Sequence, residues 1–268
     1  MVRRETTHGS AAIPPVVVGG VMLFLQREGR TIRELSYSFE ADGYTAPDLT
    51  ILAEHLTRSN SITEWAYQQS PDSVIWMTRD DGVMIGLTYQ REHEVVGFHR
   101  HTTDGKFRSV CTVPGPTQEE VWVVVEREVG GISRKYVERM ENQFVGEGSV
   151  DAFFVDSGLT YDQGVADTVF SGLEHLEGKT VSVLADGAVR PDVVVKEGAI
   201  TLASPAKVVH AGLPYISNMK TLRIEGGAMS GGTAQGRKKR ISHVIVRLFQ
   251  SLGLQVGYDG EHLERAPF

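Results

Sequence analysis

Cysteine is nearly absent. Cys111 is the sole one in 268 residues, which excludes an internal disulfide framework and any all-cysteine metal site. Long apolar runs are missing too. No stretch nears the ~18 consecutive apolar residues of a membrane-spanning helix. The apolar segment 13–25 is broken by Pro14, Pro15, Gly19 and Gly20, so neither a secretory leader nor a membrane span is expected. Positive charge is in deficit, with 27 Lys and Arg against 34 Asp and Glu for a net −7. Such a chain is a poor binder of polyanions as a whole. Apolar residues are not scarce: 41% hydrophobic content is enough for a sizeable core and argues against wholesale disorder.

Most of the chain reads as β. Apolar runs are four to eight residues long, rich in Val, Ile and aromatics, and bounded by Gly or Asp-Gly. Val74 to Arg79 meets the turn Asp80-Asp81-Gly82, and Val83 to Tyr89 continues with alternating apolar positions. That pattern predicts a hairpin, because Asp-Gly supplies the positive φ of a tight connection. Val95 to His101 adds a third strand, and Ile62 to Gln69 a preceding one. The same arrangement recurs from Val21, through Glu28-Gly29, to Tyr37. It recurs again from Val121, through Gly130-Gly131, to Arg139, with Phe107 to Val113 before it. The three runs start at residues 21, 74 and 121, a repeat of about 50 residues that predicts propeller-like antiparallel blades, with a β-sandwich as the alternative. A helix is predicted from Pro47, with Leu49, Leu52, Ala53 and Leu56 on one face.

The texture changes near Gly146 to Ser149. Strands at 180–185, 193–195, 199–202 and 207–211, with turns at Asp186-Gly187 and Glu197-Gly198, predict a small β-barrel. A Gly-rich loop, 226–236, leads to the basic cluster Arg237, Lys238, Lys239 and Arg240 and to a last strand over 241–249. The expected organisation is therefore mainly β: propeller-like blades with one short helix over 1–147, a small β-barrel over 148–225, and the loop, basic cluster and returning strand over 226–268.

Tests for chemistry return little. Gly231 and Gly236 stand at phosphate-loop spacing, but Arg237 and Lys238 replace the required Lys and hydroxyl, and a strand rather than a helix is expected next. His99-Arg100-His101 puts two imidazoles on one strand face, with His93 nearby and Cys111 in the next unit. Spacing fixes no carboxylate to complete a zinc set, and a cross-strand polar pair is the expected reading. No nucleophile elbow is present, and Cys111 in Val-Cys-Thr-Val reads as a buried inert thiol. Asp80, Asp81, Asp104 and Asp186 each sit beside a turn glycine, which accounts for them structurally. No catalytic residue, cofactor or metal site is expected. The basic cluster is the one candidate contact, either with DNA phosphates or with an acidic partner, and its attraction would be weak, salt-sensitive and blind to sequence.

Three strings go further. RELSYSFEADGYTAPDLT (33–50), DDGVMIGLTYQREHEVVGFHRH (80–101) and EGKTVSVLADG (177–187) resemble the tail nozzle (tail tubular protein B-like) proteins of short-tailed bacteriophages and related prophages. The resemblance implies a virion component, made in the bacterial host cytoplasm, with no enzymatic activity. It implies a ring homo-oligomer, hexameric in the family, that touches other tail and adaptor proteins and extends the channel through which DNA leaves without sequence-specific contact. It supplies no catalytic residues, and the barrel's likeness to a module of ubiquitin-activating enzymes is one of fold alone. Family members extend on both sides of the part seen here, so the chain reads as a partial one, an internal fragment or a shortened gene, with open sheet edges. Two alternatives stay open: a tail-associated polysaccharide or cell-wall hydrolase, and a stand-alone β-propeller binding module.

Overall fold

A computed structural model describes residues 6–142, 148–221, 238, 240–248, 251 and 253–266. Residues 1–216 form one compact unit and 217–268 a second. The protein is mainly β, and its sheets are antiparallel.

The first unit begins with β1 (Val16–Val18), β2 (Val21–Leu25), β3 (Ile32–Ser38) and β4 (Gly43–Thr45), which pair in chain order as the first sheet. A single helical turn, α1 (Glu54–Thr57), follows. The second sheet is β5 (Ile62–Gln68), β6 (Val74–Arg79), β7 (Met84–Gln90) and β8 (Val95–His101), again in chain order. The third has β9 (Lys106–Pro114), β10 (Glu119–Val129) and β11 (Ile132–Arg139), with β10 central. Turn chemistry set these hairpins. Between β10 and β11 both Gly130 and Gly131 have positive φ, 60° and 76°, as a two-residue turn matching strand twist requires.

The three sheets stack face to face, and the second is covered on both sides. Side chains alternate across a strand, so Ile75, Met77, Ile85, Leu87 and Tyr89 pack on Leu23, Leu25 and Ile32 of the first sheet, joined by Leu56 of α1. On the opposite face Val74, Trp76 and Met84 pack on Phe107, Val110, Val121, Val123 and Val125 of the third. This double cover explains why β6 and β7 carry almost unbroken apolar runs. Each fully buried aliphatic side chain contributes about 1.5–3 kcal/mol. The sheets of the expected blades are therefore present as a stack of three, which does not close on itself as a propeller ring.

The fourth sheet holds β12 (Asp156–Ser171), β13 (Thr180–Ala185), β14 (Ala188–Val194) and β15 (Ala199–Leu213), in the order β12-β15-β13-β14. It has its own core, with Phe170, Leu173, Leu176, Val181, Val195 and Val209 buried. The expected barrel does not close: β12 and β14 remain edges. Pro191 within β14 lacks the N–H a ladder partner would need, and Val189 beside it is solvent-exposed.

The helix is shorter than predicted. Asp48 bridges Arg33, and Leu49 N–H donates to the Ile32 carbonyl, so the chain stays extended along β3. The Asp48 carboxylate then accepts from the Thr50 N–H and hydroxyl at 2.7 and 2.6 Å, and helix starts only at Glu54. Leu52 is left exposed, whereas Ala53 and Leu56 are buried.

In the second unit β16 (Gln255–Gly257) pairs with β17 (Leu263–Arg265). The strand expected over 241–249 is not formed at residues 241–248, which pair with no strand among the described residues. Phe249 lies outside the described residues, as does the Gly-rich loop 226–236.

Candidate functional site

A cleft of about 510 Å³ lies between the second and third sheets. Its floor is Trp76 on β6, its walls include Gln68, Thr88, His99 and His101 from the second sheet, and Glu119 and Val121 from β10. His99 and His101 alternate to the same face of β8. Their Nδ1 and Nε2 atoms lie 2.7 Å apart, and both rings meet Trp76 edge to face, at centroid distances of 5.4 and 5.2 Å. His99 fits because its cross-strand neighbour is Gly86: a Cβ there would lie 2.0 Å from the imidazole Cε1.

Burial disfavours the imidazolium form. It holds His99 below its usual range, and burial together with the charge of His99 holds His101 at about 4. Two nitrogens 2.7 Å apart are at hydrogen-bond distance, closer than the about 3.3 Å that two ligands about 2.0–2.1 Å from a tetrahedral zinc span. His93 is exposed in the turn before β8, and Cys111 lies on the outer face of the third sheet. Among the described residues no three His, Cys, Asp or Glu side chains converge as a ligand set.

The remaining polar groups of the cleft serve its walls. Trp76 Nε1 donates to Gln68 Oε1 at 3.0 Å, and Gln68 Nε2 donates to the Glu119 carbonyl at 2.8 Å. The Glu119 carboxylate accepts from the Gln69 and Ser70 amides. These bonds tie β5 to β10.

A second polar cluster joins the third and fourth sheets. Arg127 is buried on β10 and donates twice to Glu138, both at 2.8 Å, and to Thr103 Oγ1 and the Asp104 carbonyl at 2.8 and 2.7 Å. Ser157 Oγ donates to Glu138 Oε1 at 2.9 Å. Asp156 beside it has its carboxyl raised above the usual range, chiefly by burial. Sequence reading missed Arg127. Its signal was a charge at an inward position, two residues after Val125 in an alternating strand.

The turn carboxylates are occupied as expected. Asp80 accepts from Ser61 and Asn60, with the Ser61 amide the largest cause of its lowered range. Asp81 pairs with Arg79, Asp104 with Lys179 at 2.8 Å, and Asp186 accepts from the Lys207 and Val208 amides. Cys111 corrects the expectation of a buried thiol. It is exposed, opposite Trp122 on the face of β9 turned away from the core.

Of the basic cluster, Lys238 and Arg240 are exposed and outside any regular element. Arg237 and Lys239 lie outside the described residues. Among the described residues no helix is long and apolar enough to cross a membrane.

No protein-family model matches this chain, and no curated protein matches it significantly.

Proposed function

We propose that this protein is a non-enzymatic structural component of a bacteriophage or prophage tail, a nozzle or tube ring subunit that lines part of the DNA-exit channel. The tail assignment comes from the three strings at 33–50, 80–101 and 177–187. The observation that carries an assembly role is the outer face of the first sheet. Val17, Met22 and Leu35 form a row across β1, β2 and β3, and Tyr37 pairs with Tyr44 beside it. Val17, Met22, Tyr37 and Tyr44 are all exposed, and Phe39 packs edge-on against Tyr37. Val113 and Val137 are exposed on the third sheet, at the other end of the stack. Exposed apolar sheet faces of this kind mark contacts with other protein surfaces. Copies meeting through such faces form a head-to-tail contact, which closes into a ring when the rotation allows.

Immunogold labelling of intact virions tests the tail role: label at the tail is expected, and its absence there removes the reading. Native mass spectrometry of the protein tests assembly. A discrete oligomer that Tyr44→Glu dissociates, with the thermal midpoint unchanged, is expected. A wild-type monomer at all concentrations counts against self-assembly through this face.

A further inference from the structure

We propose that the His99–His101 pair is a proton-operated latch on the interface between the second and third sheets, closed while the pair is neutral and released when it takes up protons. The geometry gives the reason. With both imidazoles neutral, one N–H lies between Nδ1 of His99 and Nε2 of His101, and the 2.7 Å contact is a normal hydrogen bond. A first added proton preserves that bond with a charge in a half-buried place. A second puts two N–H groups head to head, and the contact becomes repulsive.

The pair is mechanically coupled to the interface. Both rings lean on Trp76, and the Trp76 indole is held by Gln68, whose amide reaches the backbone of β10 at Glu119. Displaced imidazoles therefore push on the side chain that joins the two sheets. The same Trp76 belongs to the apolar cluster with Val121 and Val123.

No carboxylate among the described residues is hydrogen-bonded to either imidazole to offset the charge. The ionisable groups lining the cleft are Asp72 between β5 and β6, Arg100 on β8 itself, Glu119 on β10 and Glu141 after β11. The Glu119 carboxylate is already held by the Gln69 and Ser70 amides, and Arg100 adds a like charge. Among the described residues neither imidazole forms an ion pair with a carboxylate.

Linkage gives the sign. Both imidazoles titrate below 6.5 in the closed state, His101 at about 4. An opened interface returns them to water, where they bind protons more readily. The closed state is thus fully stable above pH 6.5 and loses stability as the pH falls toward 4. Between those limits the opening equilibrium rises on the order of a hundredfold.

Amide hydrogen exchange on the full chain tests this, with rates corrected for the intrinsic pH dependence of exchange. Protection of the β10 amides is expected to fall on the order of a hundredfold between pH 7 and 4.5, and by only a few-fold in His101→Gln. Equal protection at the two pH values, or an equal loss in the variant, overturns the proposal. Imidazole ¹⁵N NMR on the unmodified protein decides independently of how the variant folds. Two coupled protonation steps are expected, both below 6.5 with that of His101 at about 4, and separate titrations near 6.5 overturn the latch.

Discussion

His99 and Gly86 face one another across the β7–β8 ladder, and the imidazole occupies the space a side chain at 86 would need. The absent Cβ is thus what lets the ring reach Trp76. Gly86→Ala is expected to push His99 off Trp76 and break its bond to His101. Overpacking of this kind costs about 1–3 kcal/mol. Urea unfolding followed by near-ultraviolet circular dichroism checks it, since the Trp76 signal should change before any loss of strand content.

Arg127 is the cation on which the junction of the third and fourth sheets depends. Arg127→Met leaves Glu138 beside the raised Asp156 carboxyl with no positive charge at the 2.8 Å contacts. Breaking a buried pair from one side costs about 3–5 kcal/mol. Adding Glu138→Gln should recover part of that loss, measured as a double-mutant cycle by thermal unfolding.

Asp156 carries its own pH signature. Its folded-state carboxyl titrates above the usual value because burial opposes ionisation. The folded state therefore holds a proton that the unfolded state releases, so stability drops as the pH rises past 3.8 through the folded value. Asp156→Asn should be more stable than wild type at pH 7, and the difference should vanish near pH 3. Unfolding midpoints at the two pH values decide it.

Tyr89 donates its hydroxyl to Glu34 at 2.6 Å, which links the first two sheets, and Arg91 approaches the same carboxylate at 3.2 Å. Tyr89→Phe should cost about 1 kcal/mol, the low end for an orphaned buried acceptor, because Arg91 remains. Burial and the neighbouring carboxylate both raise the phenol's titration above the usual 10. Stability from this group is present below pH 10 and lost as the pH climbs toward the folded value. Alkaline unfolding curves should therefore steepen their decline above pH 10 in wild type and not in the variant.

Arg237, Lys238, Lys239 and Arg240 are four adjacent cations in a chain of net −7. If, on the proposed tail role, they face the DNA channel or an acidic partner, replacing all four with Ser should weaken DNA ejection or docking, with the larger effect at low salt, where screening is least. Ejection rates of virions carrying the variant, measured across ionic strengths, check this. Ejection unchanged from wild type at every ionic strength assigns these residues to simple exposure.

Much of the fold was legible because it is local. Asp80-Asp81-Gly82, Gly130-Gly131 and Asp186-Gly187 announce their hairpins, and the positive φ values at Gly82, Gly130, Gly131, Asp186 and Gly187 are what those residues allow. The helix over Pro47 to Leu56 was misjudged because its periodic leucines met a competing bond, that of Leu49 to Ile32 in β3. The barrel was misjudged because short strands with tight turns describe an open sheet equally well. Closure needs β12 and β14 to meet, and no local signal encodes that.

The candidate cleft was only half readable. His99-Arg100-His101 was visible as two imidazoles on one face, but nothing local marked Gly86 as the recess opposite His99. The pairing of β7 with β8 was inferable; the arrival of Glu119 and Val121 from a later sheet was not.

By itself the sequence determined many of the strands and their hairpin turns, because each follows from steric preferences within a few residues. Tertiary structure decided which faces oppose one another, that Trp76 and Ile75 look toward different sheets, and that two half-buried histidines bond to each other rather than to a carboxylate. Those outcomes depend on which distant surface removes water from each side chain, and burial is a property of the packed chain, not of any window within it.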